Sequence, residues 1–200
     1  NAYKSSNPID QTGFSDEIIA TVLCEISNGV SCDANWPDFR CNNHNTGESS
    51  SIIDLPLAKK WDFNTTGSVT SSPAISDDIV FVTSNGYKIY ALEKETGAKI
   101  WDFTTEGIQT WSSPSVSEER VFFGSSDKKV YALNKNTGVK LWEFLTDGIV
   151  HSSPAVSNGK VYIGSYDKKV YALDEVSGTK VWEYTTGEMI NSSPAVADGK

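Results

Sequence analysis

A formal charge of −9 on 200 residues argues against a nucleic-acid partner, which needs a basic face, and against docking on an anionic membrane surface. No run approaches the about 18 apolar residues that span a bilayer. Glycine, serine and β-branched residues are plentiful beside six Trp and a single Met, which favours strands and tight turns over helices.

The first predicted element is nevertheless a helix. Ser15-Asp16-Glu17 places acids where an N-terminal dipole favours them, and Ile18, Ile19, Val22, Leu23 and Ile26 form an apolar stripe. Asn28-Gly29 ends it. Such a helix either packs on the downstream domain or docks a partner. Cys24 lies on it, with Cys32 and Cys41 further along the chain. One disulfide plus an unpaired thiol fits, as does a pairing partner outside these residues; no Cys-x-x-Cys pair points to zinc. Residues 1–35 are thus expected to be an extension with a short helix, and residues 36–200 the main domain. The chain opens at Asn1, which fits a processed product or a fragment. Asn64 and Asn191 begin Asn-x-Ser/Thr sequences compatible with secretion.

From residue 59 onward the sequence repeats. Ser-Ser-Pro recurs at Ser71, Ser112, Ser152 and Ser192, Tyr-Ala-Leu at Tyr90, Tyr131 and Tyr171, and Trp-acid-aromatic at Trp61, Trp101, Trp142 and Trp182. All advance by 40 or 41 residues in one order. Each unit reads as four strands. In the unit from Ser152 they are Pro154–Ser157, Lys160–Ser165, Lys169–Leu173 and Thr179–Tyr184, with Asn158-Gly159 as a hairpin turn. Thr96-Gly97, Thr137-Gly138 and Ser177-Gly178 supply the turn before each fourth strand. Four antiparallel strands per unit of about 40 residues predict an all-β fold, a β-propeller.

Ala91–Trp101, Ala132–Trp142 and Ala172–Trp182 each fit Ala-x-(Asp/Asn/Glu)-x-x-(Thr/Ser)-Gly-x-x-x-Trp. This resembles the tryptophan-docking motif of the PQQ-like (quinoprotein-type) propeller repeat family. Trp36-Pro37-Asp38-Phe39-Arg40 and Thr46-Gly47 resemble the segment that opens such propellers, so the likeness covers about residues 36–200. It implies that the Trp side chains stack between neighbouring blades, with ligand contact the other reading. Residues 71–184 supply three complete blades, Lys59–Phe63 an isolated fourth strand, and Ser192–Ala197 the start of another blade. Relatives close with about seven or eight blades, roughly 280–320 residues, so the chain is expected to be part of a longer ring.

Catalytic signatures do not emerge. His44 and His151 are the two histidines, and no His-Glu-x-x-His, Gly-x-Ser-x-Gly, haem or phosphate-loop motif occurs. The PQQ-dependent alcohol dehydrogenases of the family use adjacent cysteines, calcium and an aspartate, none of which maps here. No catalytic residue and no metal site is assigned, and Asp127 and Asp167 are read as solvated turn residues. The repeats differ most at the residue before Ser-Ser-Pro: Thr70, Trp111, His151 and Asn191. These are the candidate cofactor-binding ring at the channel mouth, because a constant scaffold with a variable rim is how repeat folds place function. The loop before Trp111 is one residue longer than its counterparts, so Trp111 either stacks on a flat ligand or plugs the mouth. His151 either takes part or bonds a neighbouring loop.

The resulting expectation is an extracytoplasmic propeller (secreted, periplasmic or at the cell surface) that binds a protein partner as a scaffold without catalysis. A homo-oligomer is compatible with it. The alternatives are a dehydrogenase using PQQ and calcium, and a structural subunit of a surface layer or filament.

Overall fold

A computed structural model describes residues 59–107 and 111–196. The expected helix, the three cysteines, the Trp36 segment and the boundary at residues 35/36 lie outside the described residues.

Twelve strands form three four-stranded antiparallel sheets, each in sequential order. The first blade is β1 (Ala74–Ser76), β2 (Ile79–Ser84), β3 (Lys88–Glu93) and β4 (Lys99–Thr104). The second is β5 (Ser115–Val116), β6 (Arg120–Gly124), β7 (Lys129–Asn134) and β8 (Lys140–Leu145). The third is β9 (Ala155–Ser157), β10 (Lys160–Gly164), β11 (Lys169–Asp174) and β12 (Lys180–Thr185). The short first strands gather at the inner edge, where β5 approaches both β1 and β9. The register repeats as well: Phe81 pairs with Ala91, Phe122 with Ala132 and Tyr162 with Ala172, and a bulge follows each of these alanines.

The middle strands are buried on both faces because a blade is packed between two neighbours. In the second blade Val121, Phe123, Tyr131 and Leu133 face the first blade, meeting Phe81, Ile89 and Trp101. Phe122, Val130, Ala132 and Trp142 face the third, meeting Val161, Ile163, Tyr171 and Leu173. A strand of period two with both faces apolar reads as a continuous hydrophobic run, as Val121-Phe122-Phe123 does.

Strand ends differ from expectation by about one residue. Pro154 stays outside β9, having no N–H to give a ladder. Two expected strand pieces form no ladder: Lys59–Phe63 and residues 192–196 pair with no strand among the described residues. Strand geometry needs a hydrogen-bonded neighbour, and none lies beside them here. Burial does not need one, and Trp61 is 8 % and Val196 5 % exposed.

Each of Trp61, Trp101 and Trp142 crosses to the next blade. Its indole Nε1–H donates to a carbonyl in the turn before the fourth strand: Lys94 O at 2.8 Å, Lys135 O at 2.9 Å and Glu175 O at 3.0 Å. Its ring lies on the glycine of that turn. A Cβ on Gly97, Gly138 or Gly178 would stand 2.6, 2.7 or 2.5 Å from the ring, and all three glycines have φ near +70°. Glycine is therefore required twice over, by conformation and by close approach.

Candidate functional site

The site grows from the Ser-Ser-Pro repeats at the inner edge. The first serine holds its own blade: Gly124 N–H donates to Ser112 Oγ at 2.9 Å, and Gly164 N–H to Ser152 Oγ at 3.1 Å. In the first blade Thr83 replaces that glycine, and its hydroxyl lies 2.7 Å from Ser71 Oγ and 2.8 Å from Ser112 O. The second serine joins blades. Ser72 N–H donates to Ser113 Oγ (2.9 Å), Ser113 N–H to Ser153 Oγ (2.9 Å) and Ser153 N–H to Ser193 Oγ (3.0 Å). These bonds run in one direction around the axis and set four chain segments side by side.

That ladder brings the four variable residues together. Thr70, Trp111, His151 and Asn191 line one open cavity of about 410 Å³ with Ser72, Ser113, Ser153 and Ser193. Trp111 is 43 % exposed, and its ring rests against His151 with centroids 4.6 Å apart and planes at 33°. His151 is 9 % exposed; its Nδ1 lies 3.1 Å from the Tyr166 hydroxyl, and the two rings meet edge to face. Its Nε2 is buried without a partner among the described residues. Burial holds the imidazole below its ordinary pKa, which favours the neutral ring. The longer loop before Trp111 falls partly outside the described residues, at 108–110.

No Asp, Glu, Lys or Arg lines the cavity among the described residues. Nor do the described residues hold a group of three or more His, Cys, Asp or Glu able to grip a metal. The rim can therefore stack a ring on Trp111 and exchange neutral hydrogen bonds through serine, threonine and Asn191. The described lining residues offer no charged side chain to pair with an ionic ligand.

Asp127 and Asp167 sit in turns and are partly exposed, as expected, but each carboxylate is also held by fixed partners. Asp127 accepts from Tyr131 Oη–H at 2.6 Å, from Glu106 N–H at 3.1 Å and from Lys129 N–H at 3.1 Å. Asp167 does the same with Tyr171 (2.6 Å), Asp147 N–H (3.0 Å) and Lys169 N–H (3.0 Å). Each carboxylate ties its hairpin to the loop arriving from the previous blade. Burial first, and the adjacent carboxylate second, push both phenols well above the usual tyrosine range. Gly86 replaces the aspartate in the first blade, and there Thr66 bonds Tyr90 Oη instead. The Asp-x-x-x-Tyr spacing was the available sign of this tether.

Residues 46–194 match the PQQ-like repeat model described as outer membrane protein assembly factor BamB. The solved structure of BamB from Moraxella catarrhalis is 25 % identical with a TM-score of 0.62, over 70 % of this chain and 44 % of that one. Quinohemoprotein alcohol dehydrogenase from Comamonas testosteroni gives 22 % and 0.64, over 76 % of this chain and 27 % of that one. A europium-containing methanol dehydrogenase gives 22 % and 0.63, over 76 % and 32 %. At that identity the two dehydrogenases share the fold alone. The chain spans less than half the length of each of these structures. No curated protein matches the sequence.

Proposed function

The chain belongs to the PQQ-like β-propeller repeat family, whose model is described as outer membrane protein assembly factor BamB, and on that premise we propose that it is a non-catalytic protein-binding scaffold acting outside the cytoplasm. One observation carries this reading. The residues constant from blade to blade (Trp, the turn glycine, the paired serines) serve packing, while the variable ones converge on one open cavity at the axis. A rigid disc of this kind presents a broad preorganised face at small entropic cost. The partner is a protein, as the description of the matching family supports. The propeller starts near residue 36, the tryptophan contacts are its docking motif, and residues 1–35 are a separate extension. Affinity capture from an extracytoplasmic fraction should recover a partner that rebinds the purified chain at fixed stoichiometry. Repeated recovery of the protein alone would overturn the reading.

The exposed Trp111 favours a second reading, a dehydrogenase with PQQ stacked on the indole and calcium beside it. The residues present do not fit that pair. PQQ carries three carboxylates and calcium takes oxygen ligands rich in carboxylate, whereas the described cavity lining offers neither cation nor acid. A PQQ titration with and without calcium, followed by tryptophan fluorescence, separates the readings. Saturable quenching that Trp111→Ala abolishes would favour the quinoprotein.

A further inference from the structure

The chemistry of the channel mouth points beyond protein binding. We propose that the cavity bounded by Thr70, Trp111, His151 and Asn191 is a binding site for a neutral, hydroxyl-rich ring, a saccharide, laid on the Trp111 indole.

Three features of the cavity select that class. The first is a supported aromatic platform. Trp111 rests on His151, and His151 in turn is held at Nδ1 by Tyr166, so the indole is backed by two rings while staying 43 % exposed. A pyranose has one face of C–H groups that covers such a ring, with hydroxyls projecting around its edge. The second is the serine row. Ser113, Ser153 and Ser193 each accept a backbone N–H at Oγ, which orients the oxygen and leaves the hydroxyl proton to donate. Asn191 adds an amide able both to donate and to accept. Fixed polar groups around an aromatic floor match the rim of a sugar ring. The third is neutrality. With no charged side chain among the described lining residues and His151 buried, an anionic ligand would lose its hydration there without gaining a counter-charge. A volume of about 410 Å³ lies in the range of small-molecule sites, roughly 300–1,000 Å³, and at its smaller end.

The site goes beyond the scaffold reading, and its failure would leave that reading standing. Isothermal titration of the full chain is to be run with neutral di- and trisaccharides of gluco, manno, galacto and N-acetylhexosamine type, and with PQQ as the anionic control. The expected result is one saturable site for at least one neutral sugar, with Kd on the order of 0.1–1 mM, as one stack and a few neutral hydrogen bonds allow. Trp111→Ala should weaken it about tenfold or more, Trp111→Phe should keep part of it, and Asn191→Ala should weaken it several-fold. Affinity should change less than about twofold between 50 and 500 mM salt. Electrophoresis through gels holding the corresponding polysaccharide distinguishes a free sugar from a polymer as the source; retardation lost in Trp111→Ala assigns the polymer. Trp111 is exposed, so its substitutions leave the blade core intact, and a melting curve checks this. Absence of binding across the sugar panel, sugar binding indifferent to Trp111→Ala, or tight PQQ binding without sugar binding would each overturn the proposal.

Discussion

Trp142 and Trp182 hold the same place in consecutive blades, behind the same run from alanine through glycine, yet one is 8 % exposed and the other 43 %. The difference lies in the next blade along the chain. Trp142 lies on Gly178 of the third blade and donates to Glu175 O, while no later turn is available to Trp182 among the described residues. The two blades carry equivalent residues, so the burial of this side chain is a property of a pair of blades. Half of each interface is written in one repeat and half in its successor.

Substitutions can break or sharpen this comparison. The largest effect is expected for Trp142→Ala, a loss of about 3–5 kcal/mol in urea unfolding, as for other buried aromatics. A loss under about 1 kcal/mol would mean that the contact between blades contributes little. Next comes Gly178→Ala, near 3 kcal/mol, from a left-handed backbone cost of about 1–2 and a collision with the ring of about 1–3. Gly159→Ala is its control. Gly159 has the same positive φ but open space around it, so the backbone cost alone should appear. Equal losses at the two glycines would remove the ring contact from the account.

Asp167→Asn and Tyr171→Phe come third, at about 1–2 kcal/mol each, because they weaken the tether between hairpin and incoming loop. The sign of its pH dependence follows from the raised phenol pKa values of Tyr131 and Tyr171. Protonated phenol is favoured by folding, so the stabilisation is complete below about pH 10 and is lost as pH rises above it. Phenolate absorbance from these two tyrosines should appear only with unfolding, and Tyr131→Phe with Tyr171→Phe should flatten the alkaline decline. The smallest effect belongs to Trp182→Ala, under about 1 kcal/mol in the 200-residue chain, because an exposed side chain loses little packing. A loss as large as that of Trp142→Ala would show that something covers this indole.

The strands and most turns were legible because each determinant is local and occurs three or four times. Asn158-Gly159 shows the point: both residues adopt positive φ, as the hairpin requires. The four residues before Ser-Ser-Pro could be grouped from spacing alone, since equal positions in a repeat meet around the axis. The tethers of Asp127 and Asp167 could not be read with equal ease. Their partners Glu106 and Asp147 lie about 20 residues upstream, and their nearness depends on how the incoming loop passes the hairpin. The same holds for Lys135, buried at 7 % exposure, whose ammonium crosses to Asp77 of the first blade at 2.7 Å. Nor does sequence announce that Tyr87, Lys128 and Lys168 take left-handed backbone in the second hairpin of each blade, at φ of 68–71°. Those positions carry ordinary residues, and the conformation is imposed by the strands they join.

The forward reach of the tryptophans also sets an order in time. Trp142 is completed by Gly178, 36 residues further on, so during synthesis a finished sheet waits for its successor with an indole bare. At about 5–20 residues per second that interval is roughly 2–7 s for each blade. A translating ribosome would thus carry one sticky aromatic edge that moves along the nascent chain, and a pause between Trp and the next glycine would lengthen its exposure to chaperones or to aggregation.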